Sequence, residues 1–482
     1  MSQHVHIAIL GAGFAGVGAA IRLLQSGKRD FVVFERADEV GGVWRDNEYP
    51  GCACDVEAPL YSFSFAPNPN WSRLFAPQPE IFAYLRRCAD EFGVRPYLRF
   101  GHAIESIRWD EAQRRWTIES SKGSFTADVI IAGTGALSEP IIPQLPGRER
   151  FAGKAFHSAH WDHEHALAGR RVAVVGTGAS AIQIIPNLQR EVGKLLVFQR
   201  TPAWVVPRFD RAFGPRTQAL FERLPISQKL LRASLYLRHE SLLVGFRNPA
   251  IMRLVERRVL AYLAHVVRDP DLRARLTPHF RLGCKRVLVS SDYLPALTQP
   301  NVEVVASAVR ELVPEGIVDA EGRTHEVDTI VFATGFRVTD QPFSEHVHGR
   351  EGRTLAEVWR GSPQAYLGTT VAGFPNFFLL TGPNTGLGHS SMLLMIEAQL
   401  ELVLGALREL DRAGTRTIEP KPEVQRRFVD EVQRGGAGTV WTAGGCQSWY
   451  LDETGRNSTL WPWSTYAYMR KAKFERDDYL LG

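Results

Sequence analysis

Two glycine-rich runs carry the clearest chemical potential in this sequence. The first is Gly11-Ala12-Gly13-Phe14-Ala15-Gly16 and the second is Gly176-Thr177-Gly178-Ala179-Ser180-Ala181. Each follows a short apolar run, V-H-I-A-I-L before the first and R-V-A-V-V before the second. Each opens a helical pattern. A glycine turn between a strand and a helix N-terminus presents free backbone N–H groups and a partial positive charge, which suits a pyrophosphate. The first glycine permits the turn, the second lets the phosphates approach the backbone, and the third lets the helix pack closely. Ala181 takes the third place in the second run, a substitution the pattern accepts.

The two runs differ where each following strand ends. F-V-V-F-E-R at 31–36 aligns with L-L-V-F-Q-R at 195–200, so Gln199 stands where the first unit has Glu35. A carboxylate accepts hydrogen bonds from a ribose diol and repels a 2′-phosphate, whereas a neutral amide does not repel it. Arg200 can pair with such a phosphate as a planar fork. Arg36 occupies the same place in the first unit, so the loss of the acid is the discriminating change. We assign FAD to the first unit through Gly11, Gly13, Phe14, Ala15, Gly16 and Glu35. We assign NADPH, in preference to NADH, to the second through Gly176, Thr177, Gly178, Ala179, Ser180, Arg200 and Thr201.

Between the runs lies F-A-G-K-A-F-H-S-A-H-W-D, residues 151–162. Phe151, Gly153, His157, Trp161 and Asp162 fill the pattern F-x-G-x-x-x-H-x-x-x-W-[P/D]. This resembles the fingerprint of the type I Baeyer–Villiger monooxygenases. The related N- and S-oxidising flavin monooxygenases usually carry Tyr or Phe at the tryptophan position, and they are the alternative. The resemblance extends from Gly11 to about Gln399. G-G-V-W and Y-P-G-C-A-C-D resemble elements that wrap the flavin, which implies Trp44, Asp55 and Tyr61 near it. G-C-K-R at 283–286 resembles the element whose lysine holds the 2′-phosphate and whose arginine faces the flavin, here Lys285 and Arg286. By the same resemblance Met392 gives the flavin a backbone contact.

The implied chemistry is hydride transfer from NADPH to FAD, then reaction of the reduced flavin with O2 at C4a. The resulting peroxyflavin attacks a ketone, and an ester or lactone leaves. Arg286 is the candidate for stabilising the anion and polarising the carbonyl, and Asp55 for orienting Arg286. The fingerprint residues are expected to be a hinge rather than chemical groups. A disulfide-reducing flavoprotein would need a correctly spaced dithiol, and Cys52-Ala-Cys54 is not one. A redox sensor without a substrate is a further competing reading.

The elements that must position these groups follow from pattern. The strand–glycine–helix unit occurs twice, giving an α/β fold of two Rossmann-type dinucleotide-binding domains. We expect a discontinuous FAD domain at 1–140 and 340–482, and an NADP domain at 150–208 and 281–339. Residues 209–280 are rich in Leu, Arg and Ala and read as a helical insertion in the second domain. A solvated cap over the active site is preferred there to a membrane-surface role for S-L-L-V-G-F at 241–246. The stretch 41–65 reads as an ordered loop, 75–95 as helix, 98–121 as antiparallel strands, and a helix begins near Ser390. The aromatic tail from Ser448 to Tyr468 gives no assignable substrate pattern.

Composition sets the remaining bounds. A net charge of +5 on 482 residues gives no reason to invoke nucleic acid. Five cysteines, an odd number without C-x-x-C, indicate neither a disulfide framework nor a zinc site, and no metal is expected. No basic–apolar leader and no run of about 18 apolar residues is visible. The expected compartment is the cytoplasm, and the expected partners are a small ketone and O2.

Overall fold

A computed structural model describes residues 3–482. The first sheet is built around the strand Gln3–Leu10, which pairs in parallel with Phe31–Glu35 on one side and Gly123–Ala132 on the other. Leu98–Phe100 extends one edge in parallel. On the other side Arg115–Ser120 and Ile104–Asp110 add antiparallel neighbours, and Val347–His348 and Phe377–Leu379 return from late in the chain. Ile7, Ala8, Ile9 and Leu10 are buried on both faces, which is why this strand reads as a continuous apolar run rather than an alternation.

Helix Phe14–Gln25 lies against that sheet through Val17, Ala20 and Ile21, and helix Met392–Ala413 packs on it from the other side of the chain. The close fit depends on Gly16. A Cβ built there would sit 1.8 Å from the Gly11 carbonyl oxygen. No side-chain rearrangement relieves a clash with backbone.

The second sheet is wholly parallel, in the order Val302–Val305, Lys194–Phe198, Arg171–Val175, Thr329–Phe332, Lys154–His157. The helix Ala181–Leu188 follows the second glycine run. The fingerprint stretch is therefore not an unpaired linker. Its first half is an edge strand, with His157 opposite Phe332.

The segment 209–280 is helical, in four helices Pro215–Arg223, Pro225–Arg247, Pro249–Val266 and Pro270–Leu276. Each starts on a proline, whose missing N–H costs nothing in the first turn and whose φ suits a helix. These helices do not sit on one sheet alone. Phe213, Phe221 and Leu235 join the core under the first sheet, and Leu263 and Leu276 join the core of the second. Leu243, Phe246, Met252 and Val259 meet Trp441 and, in the tail, Tyr450 and Leu460. The aromatic tail is thus partly core: Tyr450, Trp461 and Tyr468 are almost fully buried, whereas Trp449 and Tyr466 are exposed.

Two sequence readings are corrected. The stretch 41–65 contains one helical turn, Val43–Asp46. Cys284 and Cys446 are bonded to each other, 162 residues apart, against the expectation of no disulfide. Spacing along the chain carries no sign of a bond closed by tertiary packing. Cys52, Cys54 and Cys88 are free and buried, and burial pushes the Cys52 thiol up to about 12. Among the described residues no helix is long and apolar enough to cross a membrane, and no cluster of three metal-binding side chains occurs.

The backbone contact at Gly16 makes a prediction. Gly16→Ala is expected to destabilise the fold by about 3 kcal/mol or more, read as a Tm fall of at least about 5 °C or loss of soluble protein. An unchanged melting curve would refute the close-packing account.

Candidate active site

The glycine loops place their groups as an anion site requires. Gly13 is the N-cap of helix Phe14–Gln25 and offers no side-chain cap, so the first-turn N–H groups stay available. The Glu35 carboxylate is buried at the end of its strand. It accepts from Ala12 N–H at 2.8 Å and Ala37 N–H at 3.0 Å, and Arg45 lies 3.3 Å away. A carboxylate has about four lone-pair sites, so capacity remains for a diol. Phe14, Trp44 and Tyr61 form one aromatic wall. Trp44 Nε1 donates to the Tyr61 hydroxyl at 3.0 Å, and the Tyr61 ring meets Phe14 edge-on at 5.4 Å.

The second loop is arranged alike, with one electrostatic difference. Helix Ala181–Leu188 also begins without a side-chain cap at Ser180, and nothing lies within 4 Å of a Cβ built on Gly178. Thr177 donates its hydroxyl to the Thr201 carbonyl at 3.2 Å. Ala179 lies in the turn between them. Arg36, in the first unit, is taken up by Glu139 at 2.5 Å and the Ser138 carbonyl. Arg200, its counterpart, has no carboxylate partner among the described residues. Instead Lys285 faces it: burial, and then the Arg200 charge, hold the Lys285 ammonium below its ordinary range. Two cations are thus brought together without an acid between them. The Gln199 amide is engaged elsewhere. It is buried, and its amide donates to the Arg275 carbonyl at 2.9 Å.

Asp55 and Arg286 meet across 231 residues of sequence. Asp55 Oδ2 accepts from Arg286 Nε at 3.0 Å and Nη2 at 2.7 Å, and Arg286 Nη1 donates to the Leu387 carbonyl at 3.1 Å. The Asp55 charge holds the guanidinium pKa above its usual range. The Tyr450 hydroxyl also reaches Arg286, and burial pushes that phenol up to about 12. The Asp55 loop is fixed from the helix that follows the second glycine run. Gln183 accepts from Tyr49 Oη at 3.1 Å and Ala53 N–H at 3.3 Å, and returns a bond to the Ala53 carbonyl at 2.9 Å.

Met392 begins helix Met392–Ala413, capped by Ser391, whose hydroxyl accepts from Leu393 N–H at 3.3 Å. The turn before it is held by helix Pro225–Arg247. His239 Nδ1 donates to the His389 carbonyl at 2.5 Å, and His239 Nε2 meets Glu57 Oε2 at 2.6 Å. Arg238 pairs with the other Glu57 oxygen. Glu240 accepts from Thr465 N–H at 3.2 Å and lies 3.5 Å from His389 Nε2. The Ser390 hydroxyl is buried without a partner.

The fingerprint residues stand apart from this pair. No hydrogen bond among the described residues links them to Asp55 or Arg286. Phe151 packs on the core of the second sheet. Gly153 is needed because a Cβ would come within 2.3 Å of the Asp328 carbonyl oxygen. His157 is buried, accepts from Ala159 N–H at 3.1 Å, and is pushed down to about 4 by burial, so it is neutral at ordinary pH. Trp161 packs edge-on against Phe156, and Asp162 pairs with Lys154 at 2.8 Å. Trp161 also lines a cleft of ≈ 580 Å³ with Arg36, Arg45 and Glu139, so the stretch borders the first unit as well.

Sequence reasoning passed over Glu57, His239, Glu240, His389 and Tyr450. Glu57 was visible two residues after Asp55. The others lie in segments read as insertion, turn and tail, with no local pattern to mark them.

Comparison with known proteins gives a consistent result. Residues 4–353 match the family model described as flavin-binding monooxygenase-like. A Baeyer–Villiger monooxygenase of Streptomyces coelicolor is 52% identical, over 98% of this chain and 91% of that protein. One of Pseudomonas aeruginosa is 47% identical, over 97% and 89%. Among solved structures, an oxidised steroid monooxygenase bound to NADP superposes with a TM-score of 0.88 at 30% identity, covering 99% of each chain. Cyclohexanone monooxygenase from Rhodococcus sp. Phi1, bound to NADP+, also gives 0.88, at 28% identity over 100% and 99%. The chain belongs to the flavin-binding monooxygenases and, within them, to the Baeyer–Villiger monooxygenases.

Proposed function

We propose that this enzyme converts a ketone into an ester or lactone with FAD as its working cofactor. The balance is ketone + O2 + NADPH + H+ giving ester or lactone + water + NADP+. The observation that carries the reading is Arg286, aimed by Asp55 and the Leu387 carbonyl at the junction of the two nucleotide folds. FAD falls to the first fold, with Gly11, Gly13, Phe14, Ala15 and Gly16 at the pyrophosphate and Glu35 at the ribose. Trp44, Asp55, Tyr61 and the N–H of Met392 surround its ring. NADPH falls to the second, with Gly176, Thr177, Gly178, Ala179, Ser180 and Thr201 at the pyrophosphate. Arg200 and Lys285 take the 2′-phosphate. The corresponding domain division is 1–140 with 340–482 for FAD, 150–208 with 281–339 for NADP, and 209–280 as the insertion.

Reduced flavin bound there supplies an O2-derived oxygen to the ketone carbonyl. The chain has three tasks around it. Arg286 holds the negative charge that develops on oxygen, because its own charge is fixed by Asp55. Tyr450, protonated at any ordinary pH, adds a hydroxyl donor beside it. The neutral His157 and the Trp161–Asp162 corner brace the second sheet against the first, so that their relative motion switches the site between reduction and oxygenation. The compartment we propose is the cytoplasm, which supplies NADPH. The Cys284–Cys446 bond runs against the usual redox state there.

The first test is anaerobic reduction of the yellow protein by NADPH, followed by aerated turnover with linear, cyclic and aryl ketones. Bleaching of the flavin and an ester or lactone product are expected. Hydrogen peroxide without ester, together with sulfoxide from a thioether, would move the enzyme to the heteroatom-oxidising class.

Arg286→Ala is expected to lower ester formation about 10²- to 10³-fold. Its anaerobic reduction by NADPH should stay within a few-fold of wild type. Equal loss of both steps would remove Arg286 from the oxygenation chemistry.

Lys285→Ala and Arg200→Ala are each expected to raise KM for NADPH roughly 10- to 100-fold, the size of a lost hydrogen bond to a charged group. KM for NADH should barely move. A parallel rise for both nucleotides would place the 2′-phosphate elsewhere.

A further inference from the structure

The outer face of the helical insertion is apolar where a solvated cap would be polar. On helix Pro225–Arg247, Ile226, Leu230, Leu237 and Val244 are 52%, 64%, 66% and 58% exposed. Their spacings of four, seven and seven residues align them in one stripe along the helix. The next helix, Pro249–Val266, exposes Ile251, Leu254 and Val255. Most of the exposed large apolar side chains among the described residues lie between Leu220 and Val255.

The charge around this face is predominantly positive. Beyond the exposed Glu222 at its edge, every exposed charged side chain from residue 223 to residue 258 is a cation, including Lys229, Arg247, Arg253, Arg257 and Arg258. The two acids in that range are turned inward. Glu240 holds Thr465, and Glu256 is buried against Arg281 and the Leu282 N–H. An apolar stripe flanked by lysine and arginine is the pattern of a helix that lies in a membrane interface, its long cationic side chains reaching to headgroup phosphates.

We propose that the helices Pro225–Arg247 and Pro249–Val266 dock this enzyme on the surface of an anionic lipid bilayer. The opposite face of the first helix reaches the reaction site. Gln228 donates to the Asn68 carbonyl at 2.6 Å, Arg232 donates to the carbonyls of Pro59 at 2.6 Å and Ser62 at 2.9 Å, and His239 bridges Glu57 and the His389 carbonyl. One helix therefore has lipid on one side and the Asp55–Glu57 loop on the other. The surface suits an apolar substrate that partitions into lipid. The inference concerns attachment, and it stands whether or not the substrate is a ketone.

The test is flotation of the FAD-loaded protein with phosphatidylcholine vesicles carrying about one third phosphatidylglycerol, against vesicles of phosphatidylcholine alone. Wild type is expected to float with the anionic vesicles, and added salt to weaken the binding. Leu230→Glu with Leu237→Glu should lower the bound fraction at least about tenfold. Its flavin content and its NADPH oxidation in solution should be unchanged. Three results would overturn the proposal: no flotation of wild type with anionic vesicles, equal flotation with neutral ones, or undiminished binding by the double variant. A wild-type dimer that the double variant converts to monomer, with no lipid binding by either, would assign the face to a second copy of the chain instead.

Discussion

Asp55 and Arg286 face each other because two halves of the chain are built to bring them together. Asp55 lies on a loop of the first nucleotide fold, yet that loop is pinned by Gln183 on a helix of the second. Arg286 ends a segment of the second half, yet that segment is tied to the tail through Cys284–Cys446 and through Arg281 N–H on the Gly444 carbonyl at 2.9 Å. Neither side chain is deeply buried; each is 28% exposed. At such a site, attraction alone contributes little to stability. The pair matters because each charge fixes the orientation of the other where two cofactor folds meet. Removing either partner would leave an oriented charge without its counter-ion, the costly outcome for any partly desolvated pair.

What the sequence made legible was local. Within each unit the glycine run, its strands and helix, and Glu35 or Gln199 lie inside about thirty residues, where backbone geometry fixes the meaning of each position. The Arg36 and Arg200 pair shows where that stops. The two are equivalent in sequence, and only Glu139, folded back from 103 residues away, neutralises one and leaves the other free for an anion. Glu57 with His239 and Arg286 with Tyr450 are contacts of the same kind, with no periodicity to announce them. The fingerprint stretch was read as a connection between domains because four residues of strand are too short to show an alternation. Its pairing with Thr329–Phe332 is set by the close approach at Gly153.

The helix Pro225–Arg247 shows a different limit. Its composition reads as a basic helix, and either a solvated or a lipid-facing one is compatible with that. Which residues face inward decides the matter. Polar Gln228, Arg232 and His239 point to the protein beside the buried Leu235, Leu243 and Phe246, and their donors meet loop carbonyls that would otherwise be unsatisfied, while Leu230, Leu237 and Val244 are left outward. The polar residues on the inward face have a physical source. A loop that wraps a cofactor exposes backbone carbonyls that need donors, and long polar side chains on a helix supply them.

The same helix also fixes a proton. The His389 carbonyl can only accept, so His239 Nδ1 must carry hydrogen. His239 Nε2 faces a Glu57 oxygen at 2.6 Å, so a proton lies between those two atoms as well, on one or the other. Arg238 donates to the second Glu57 oxygen, while burial, and then the Arg238 and Arg286 charges, lower the His239 pKa. Either way the group of three holds a set number of protons and cannot lose one without leaving two acceptors face to face. Asp55 and Glu57, two residues apart on one loop, thus each have a committed cationic partner, Arg286 for the first and Arg238 for the second. The loop that carries them presents no uncompensated negative charge where an anionic oxygen must develop, and Arg286 is left to act on the substrate.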